Sequence, residues 1–423
     1  MTNKGLSTDS YKGVRDFYPE DMAVQRYIFD TWSKTAESFG FARYDASILE
    51  PSDLYRAKGA ENEELVNEQT YTFTDRGDRE VTLRPEMTPT VARMIAKKAR
   101  ELSFPVRWYS IPNLFRYERP QKGRLREHWQ LNCDLFGVND FSADVEVIAL
   151  AHQLLLDFGA TADMFEIRVN DRQLMQRLYT AIGVASENIP AITKLNDRKN
   201  KISAEEYRTK LSTIVSDETI AEEITIMLEK SDEQTDVAAG LAELGITNVV
   251  FDKSLARGFD YYTGTIFEIF EVDTDGKSTG RAMLGGGRYD NLTGMFGGEP
   301  VSGIGFGMGD VTMRDFLEAH NLLPESIRST AAHVAIIPLT AENNLAAQSI
   351  AHQIRQAGFS VSTDISTRKM QKKFTDAKEK GSKFSLVIGD NEVETGTITI
   401  KNLNTKTEET GKLAELMNFL SVE

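Results

Sequence analysis

The chain has 423 residues, 40% of them hydrophobic and 27% charged, with a formal net charge of −15 and a single cysteine, Cys133. This length exceeds one ordinary core and predicts two to four domains of a soluble globular protein. The acidic balance argues against non-specific nucleic-acid binding by the whole surface. One cysteine excludes an internal disulfide and fits a reducing cytoplasm, and no apolar run is long enough to span a membrane.

In chain order, residues 13–19 (GVRDFYP) make an irregular lead-in. Residues 21–39 place Val24, Ile28, Phe29, Trp32, Ala36 and Phe39 at helical spacing, with Gly40 as the stop. Residues 41–49 and 70–74 read as strands, and residues 81–86 alternate so that Thr82, Arg84 and Glu86 share a face. Thr88-Pro89 opens a helix to about Leu102, and residues 104–111 form another strand. Residues 116–134 (RYERPQKGRLREHWQLNCD) then predict two antiparallel strands joined by a long loop, with five basic side chains between Arg116 and Arg126. The returning arm alternates, so Gln130, Asn132 and Asp134 face one way and Trp129, Leu131 and Cys133 face the core. Residues 143–158 are an apolar helix, and residues 170–245 look like an inserted helical module. Strands and turns resume from residue 249, with glycine at every second position from Gly303 to Gly309. After a linker at 321–332, strand and helix alternate in a small α/β domain with a partly parallel sheet. Its helix at 367–380 is basic.

Charge is unevenly placed. Residues 97–126 carry nine Lys/Arg against two acids, and residues 366–383 carry seven against two. An acidic body with two cationic islands suits a protein that binds anions at defined places. The fork of an arginine suits phosphate and carboxylate; Arg116, Arg119, Arg124, Arg126 and Arg257 all lie in strand or turn contexts, where an ordinary ion pair is the competing explanation for each. The glycines at 303–309 are not a dinucleotide fingerprint, and no phosphate-binding P-loop occurs. They fit a strand whose bare face admits a flat ligand or a neighbouring backbone, or one packed tightly on a helix. The five histidines are scattered, so a resident metal centre is not expected.

Several motifs together resemble one family. RYERPQKGR (116–124), preceded by TLRPEMT (82–88), resembles motif 2 and its upstream substrate loop in histidyl-tRNA synthetases. GVRDFYP (13–19), LARGFDYY (255–262), GGRYD (286–290) and GFGMG (305–309) match further elements, and residues 333–423 resemble the anticodon-binding domain. The resemblance covers nearly the whole chain. It implies an α+β class II synthetase fold, an antiparallel sheet flanked by helices. The catalytic domain would comprise residues 1–169 and 246–320, interrupted by a helical insertion at 170–245.

The same resemblance implies roles. Glu86, Thr88 and Gln130 would hold the α-amino group of L-histidine, and Asp134, Tyr262 and Tyr261 its imidazole. Arg116, Glu118 and Arg124 would bind ATP, with Glu118 near the Mg2+ that the nucleotide carries. Arg257 would join Arg116 as a catalytic residue, bridging the histidine carboxylate and the α-phosphate. Gln121 would meet the acceptor end of tRNA(His), and Arg368 and Lys372 its anticodon arm. The implied protein is a cytoplasmic, homodimeric histidine–tRNA ligase. The alternative is a non-catalytic paralogue such as the regulatory subunit of ATP phosphoribosyltransferase. One departure stands out: the arginine that closes the family's third motif is missing, because Val311-Thr312 follow Asp310, and the nearest arginine is Arg314.

Overall fold

The structure, a computed structural model, describes residues 6–56, 69–119, 124–196, 198–199, 202–229, 235–256, 261–325, 327 and 332–421. The chain forms two compact units. One comprises Met1–Asp16 and Tyr27–Leu323, the other Phe17–Arg26 and Pro324–Glu423.

The first unit is built on a nine-stranded sheet. Its strands run, from edge to edge, Ala42–Arg43, Val106–Ser110, Glu127–Phe136, Gly303–Gly309, Ser278–Tyr289, Thr265–Val272, Phe165–Asp171 and Val249–Phe251. Asn113–Phe115 adds a further pairing to the head of Glu127–Phe136. All pairings are antiparallel except the two at the edges. The helix Pro19–Ser38 buries Ile28, Trp32 and Ala36 completely, and Gly40 ends it at φ +78°. A left-handed residue of this kind is open to glycine without a steric penalty. The helix Ser142–Asp157 buries Val147, Ile148, Leu150, Ala151, Leu154 and Leu155.

The motif hairpin is present but shorter than its sequence suggests. Phe115 pairs with Glu127 and Asn113 with Trp129, and the ladder stops there. Arg116 N–H still reaches across to Arg126 O (2.9 Å), but past it the amides turn to other partners: Tyr117 N–H donates to Gln69 O (2.7 Å) and Glu118 N–H to Arg116 O (2.7 Å). The returning strand is half-buried over its first four residues and then buried on both faces from Leu131 to Phe136. Polar Asn132 and Asp134 are therefore as enclosed as Leu131 and Cys133. The region 41–49 also differs, breaking into two short strands, Ala42–Arg43 and Leu49–Pro51. The second of these joins Glu80–Leu83 and Tyr71–Thr74 in a separate three-stranded sheet.

Within residues 170–245, the helices from Arg172 to Glu229 share their own core, including Tyr179, Ile192, Tyr207, Leu211 and Ile224. Asp171 caps the first of these, accepting from Leu174 N–H at 2.6 Å. The last helix, Asp236–Glu243, packs instead on Ser142–Asp157. A Cβ on Gly240 would lie 2.7 Å from Val145 Cγ2, so that glycine permits the close approach.

The second unit has a five-stranded sheet in the order Val361–Thr363, Val334–Pro338, Phe384–Ile388, Thr397–Asn402, Glu408–Lys412. The first three strands are parallel and the last two antiparallel. The edge strand Glu408–Lys412 has no apolar residue, so hydrophobic alternation does not reveal it.

GGRYD (286–290) serves first as a structural tie. Arg288 is buried, donating from Nε to Asp144 Oδ1 (3.1 Å), from Nη1 to Val138 O (2.8 Å) and Ser302 Oγ (2.6 Å), and from Nη2 to Asp140 O (3.0 Å). Burial pushes the Asp144 carboxyl up to about 6, against the opposing pull of Arg288. Removing the cation strands a buried carboxylate. Arg288→Met is expected to lower stability by about 3–5 kcal/mol in urea unfolding, and adding Asp144→Leu to recover most of it. Equal loss in the single and double variants would show that the pair is not coupled.

Candidate functional site

The site is organised by one row of residues that crosses the central sheet. Trp108, Asp134, Gly305, Gly287 and Ile266 lie opposite one another on successive strands. Paired residues present the same face, so Gln130, Asn132 and Asp134 border a floor formed by Gly303, Gly305, Gly307, Gly309, Gly285 and Gly287. The glycines are required by close approach. A Cβ on Gly305 would lie 2.2 Å from Asp134 Oδ1, and one on Gly307 would lie 2.6 Å from Gln130 Nε2. One on Gly287 would meet the Tyr262 ring at 2.7 Å. The bare face thus accommodates polar side chains and rings from adjacent strands, not a helix.

Asp134 is 3% exposed. Its Oδ1 accepts a very short hydrogen bond from Tyr289 Oη, and its Oδ2 has no partner among the described residues. Burial pushes the carboxyl up to about 7, and the Tyr289 hydrogen bond only partly opposes this. Tyr289 is shifted upward too, by burial and then by the Asp134 charge. A carboxyl in this condition is a hydrogen-bond acceptor held ready in a low-dielectric place. Tyr289 belongs to GGRYD, but nothing in the sequence marks it as the partner of Asp134. The signal is its two-residue offset from Gly287, which puts its ring on the glycine floor.

Aromatic rings link this carboxyl to a second one. Tyr289 meets Tyr261 edge-on (5.9 Å between centroids), and Tyr261 packs on Tyr262 at 4.9 Å. Tyr261 Oη donates to Glu86 Oε2 at 3.3 Å, and Glu86 is 4% exposed. Two buried carboxylates therefore stand at either end of a tyrosine wall. Thr88 is half-buried at the start of the helix Thr88–Lys98. Arg84, on the same face as Glu86, is structural: its Nε donates to Asn113 O (3.0 Å) and its Nη1 to Ala46 O (2.8 Å).

The cationic side adjoins this wall. Arg116 Nε donates to the carbonyl of Pro85 (2.9 Å), the residue that precedes Glu86 in the chain. Glu118 lies 3.9 Å from Arg116 Nη1 and 3.7 Å from Arg124 Nη1, with Arg124 largely exposed. Arg126 is instead buried under Tyr117, its guanidinium carbon 4.1 Å from that ring's centroid, and it donates from Nε to Glu118 O (3.2 Å). His128, on the strand between these groups and Gln130, is lowered to about 3 by burial and then by the charges of Arg116 and Arg15. It is neutral at any working pH. Among the described residues no group of three or more His, Cys, Asp or Glu could hold a metal ion.

Several expected residues fall elsewhere. Gln121 and Arg257 lie outside the described residues. Arg368 precedes the helix Met370–Glu379 and is paired with Asp364 (2.8 Å) and, very closely, with Asp376. Lys372 is exposed, whereas its neighbour Lys373 is buried and donates to Asp364 O at 2.9 Å. Arg314 pairs with Glu318 (2.8 Å), one helical turn away.

Comparison with known proteins accords with this geometry. A family model described as Histidyl-tRNA synthetase matches residues 13–310, and one described as Anticodon binding domain matches residues 333–423. A Leptospira biflexa protein named histidine–tRNA ligase is 41% identical over 442 aligned positions, covering 100% of this chain and 99% of that one. A Thermoplasma volcanium protein of the same name is 37% identical, covering 98% and 99%. The apo histidyl-tRNA synthetase structure of S. aureus superposes with a TM-score of 0.74 at 25% identity, covering 98% of this chain and all of that one. The chain belongs to the histidyl-tRNA synthetase family.

Proposed function

We propose that this protein is a histidine–tRNA ligase: it activates histidine with ATP and passes the histidyl group to the 3′ end of tRNA(His). The observation that carries the reading is the buried Oδ2 of Asp134 above the glycine floor, which has no partner among the described residues. A small planar ring with an N–H fits both the flat floor and the vacant acceptor. Glu86, at the far end of the tyrosine wall, would receive the α-ammonium, helped by Thr88 and Gln130. The amino acid's carboxylate would then point toward Arg116.

In the first step a histidine carboxylate oxygen attacks the α-phosphorus of ATP, and the bond to pyrophosphate breaks. Two anions approach each other, so fixed cations set the rate. Arg116 would contact the α-phosphate and Arg124 the outer phosphates, while Glu118 orients both arginines. Mg2+ would arrive with ATP and take most of its ligands from the triphosphate, with Glu118 the nearest protein carboxylate. Arg257 would bridge the reacting groups, by resemblance to the family's motif. In the second step the terminal tRNA ribose hydroxyl attacks the acyl carbon and AMP leaves. Gln121 would contact the acceptor end. The anticodon arm would be met by the 333–423 domain through Lys372, with Arg368 a weaker contributor because two carboxylates already hold it. A homodimer and a cytoplasmic location complete the proposal. Among the described residues no helix is long and apolar enough to cross a membrane. The paralogue alternative is disfavoured by the anticodon-binding domain and the complete Glu86–Tyr261–Tyr289–Asp134 wall.

The primary test is amino-acid-dependent ATP–pyrophosphate exchange. Histidine alone should support it; exchange with no amino acid would sink the reading. Arg257→Ala should slow exchange by ~10²–10³ with little change in histidine affinity.

Asp134 makes a second, sign-specific prediction. Its folded value of about 7 lies above the ordinary carboxylate range, so its neutral form is favoured by folding. That contribution is complete below about pH 4 and is lost as pH rises to about 7. Asp134→Asn should therefore raise the melting temperature of the ligand-free protein at pH 8 while abolishing exchange. Accepting an imidazole N–H favours the ionised form instead, so the KM for histidine should fall between about pH 6 and 8 and then level off. A flat profile there would argue against Asp134 as the imidazole acceptor.

A further inference from the structure

The tyrosine wall is held by the residues that start the helical module. The row that carries Asp134 continues past Ile266 to Asn170, which is 3% exposed. Asn170 Nδ2 donates to Lys253 O (3.3 Å) and Leu255 O (2.9 Å), and its Oδ1 accepts Asp171 N–H (2.8 Å). Arg172 opens the helix Arg172–Ile182. Its N–H donates to Gly264 O (3.1 Å) and its Nη1 to Tyr262 O (3.1 Å), while Gln173 Nε2 donates to Thr263 O (3.3 Å). The successive carbonyls of Tyr262, Thr263 and Gly264 therefore all accept from the first two residues of the module.

The competing explanation is an ordinary tie at a strand end. Backbone pairing already makes that tie: Thr265 lies opposite Asp171, and Phe251 opposite Val169. The side chains of Asn170 and Arg172 reach past both ladders, to either flank of the LARGFDYY motif. What they hold there is the wall itself. Leu255 and Tyr262 share one core with Ile266 and Tyr289. The Tyr262 ring packs on Tyr261, which donates to Glu86. A tyrosine has two side-chain torsions, so fixing the backbone at 262–264 fixes where its ring meets the glycine floor.

We propose that Asn170 and Arg172 are positioning residues for the amino-acid site: they set Tyr261 and Tyr262 against Glu86 and the glycine floor, and join the helical module to that site. This rests on the histidine-binding reading above.

The test combines steady-state ATP–pyrophosphate exchange by the full chain, varying histidine and ATP in turn, with hydrogen-exchange mass spectrometry of the ligand-free protein. Arg172→Met keeps the apolar stem and removes the donors. It should lower kcat/KM for histidine by about 10–100-fold and leave the KM for ATP within about threefold, as for a misplaced binding group. Arg172→Lys, which keeps a cationic donor, should recover part of the loss. Peptides covering residues 261–264 should exchange faster in Arg172→Met, and those covering the helix Asp236–Glu243 should not change. Asn170→Ala should show the same selectivity and guards against misfolding of the first variant. A strand-end tie alone predicts a lower melting temperature with wild-type kcat and KM values in the folded protein. That result, equal rises in KM for both substrates, or unchanged hydrogen exchange at 261–264 would overturn the proposal. Failure of the wild-type protein to exchange with any amino acid would instead remove the ligase reading, and hydrogen exchange would still report whether Arg172 holds residues 261–264.

Discussion

Everything around the glycine floor follows from the constraint of keeping the Asp134 carboxyl out of water. Burial of a carboxylate costs several kcal/mol unless it is well partnered, and here, among the described residues, one oxygen is partnered and the other is not. Tyr289 holds the first oxygen, the glycines make room for both side chains, and Tyr261 and Tyr262 close the wall toward Glu86. The cost shows as the upward shift of the carboxyl. A ligand N–H that meets Oδ2 would relieve it, so binding energy and specificity would share one source. Sites of this kind are less stable than an apolar filling would be.

The arginines divide by what surrounds them. Arg84, Arg126 and Arg288 are buried, and their nitrogens go to backbone carbonyls; they fix loops and strand ends. Arg116 and Arg124 are partly open to solvent and meet a carboxylate at 3.7–3.9 Å, a looser arrangement that an incoming phosphate can displace. Residue type alone cannot separate the two groups, since all carry the same fork. Burial and partner chemistry separate them.

The second cationic island shows the same effect. The run at 366–383 has an excess of positive charge, yet Lys373 turns inward to a backbone carbonyl and Arg368 is held by Asp364 and Asp376. Much of its apparent charge is already committed. Lys372 remains exposed for a polyanion to meet.

The sequence by itself determined the local elements and their chemistry. Apolar spacing marks the helices Pro19–Ser38 and Ser142–Asp157, alternation marks Glu127–Phe136, and the family motifs single out Glu86, Arg116 and Asp134. These signals are local, set by side-chain periodicity and residue type over a few turns or strand residues. Only the tertiary structure decided the rest. It paired the 303–309 glycines with residues 130–136 and set Tyr289 against Asp134, 155 positions away in the chain. It also tied Arg15 to Asp310 across 295 positions. Strand order and register are settled by the packing of the whole sheet, and no local pattern encodes which bare strand will lie beside which carboxylate.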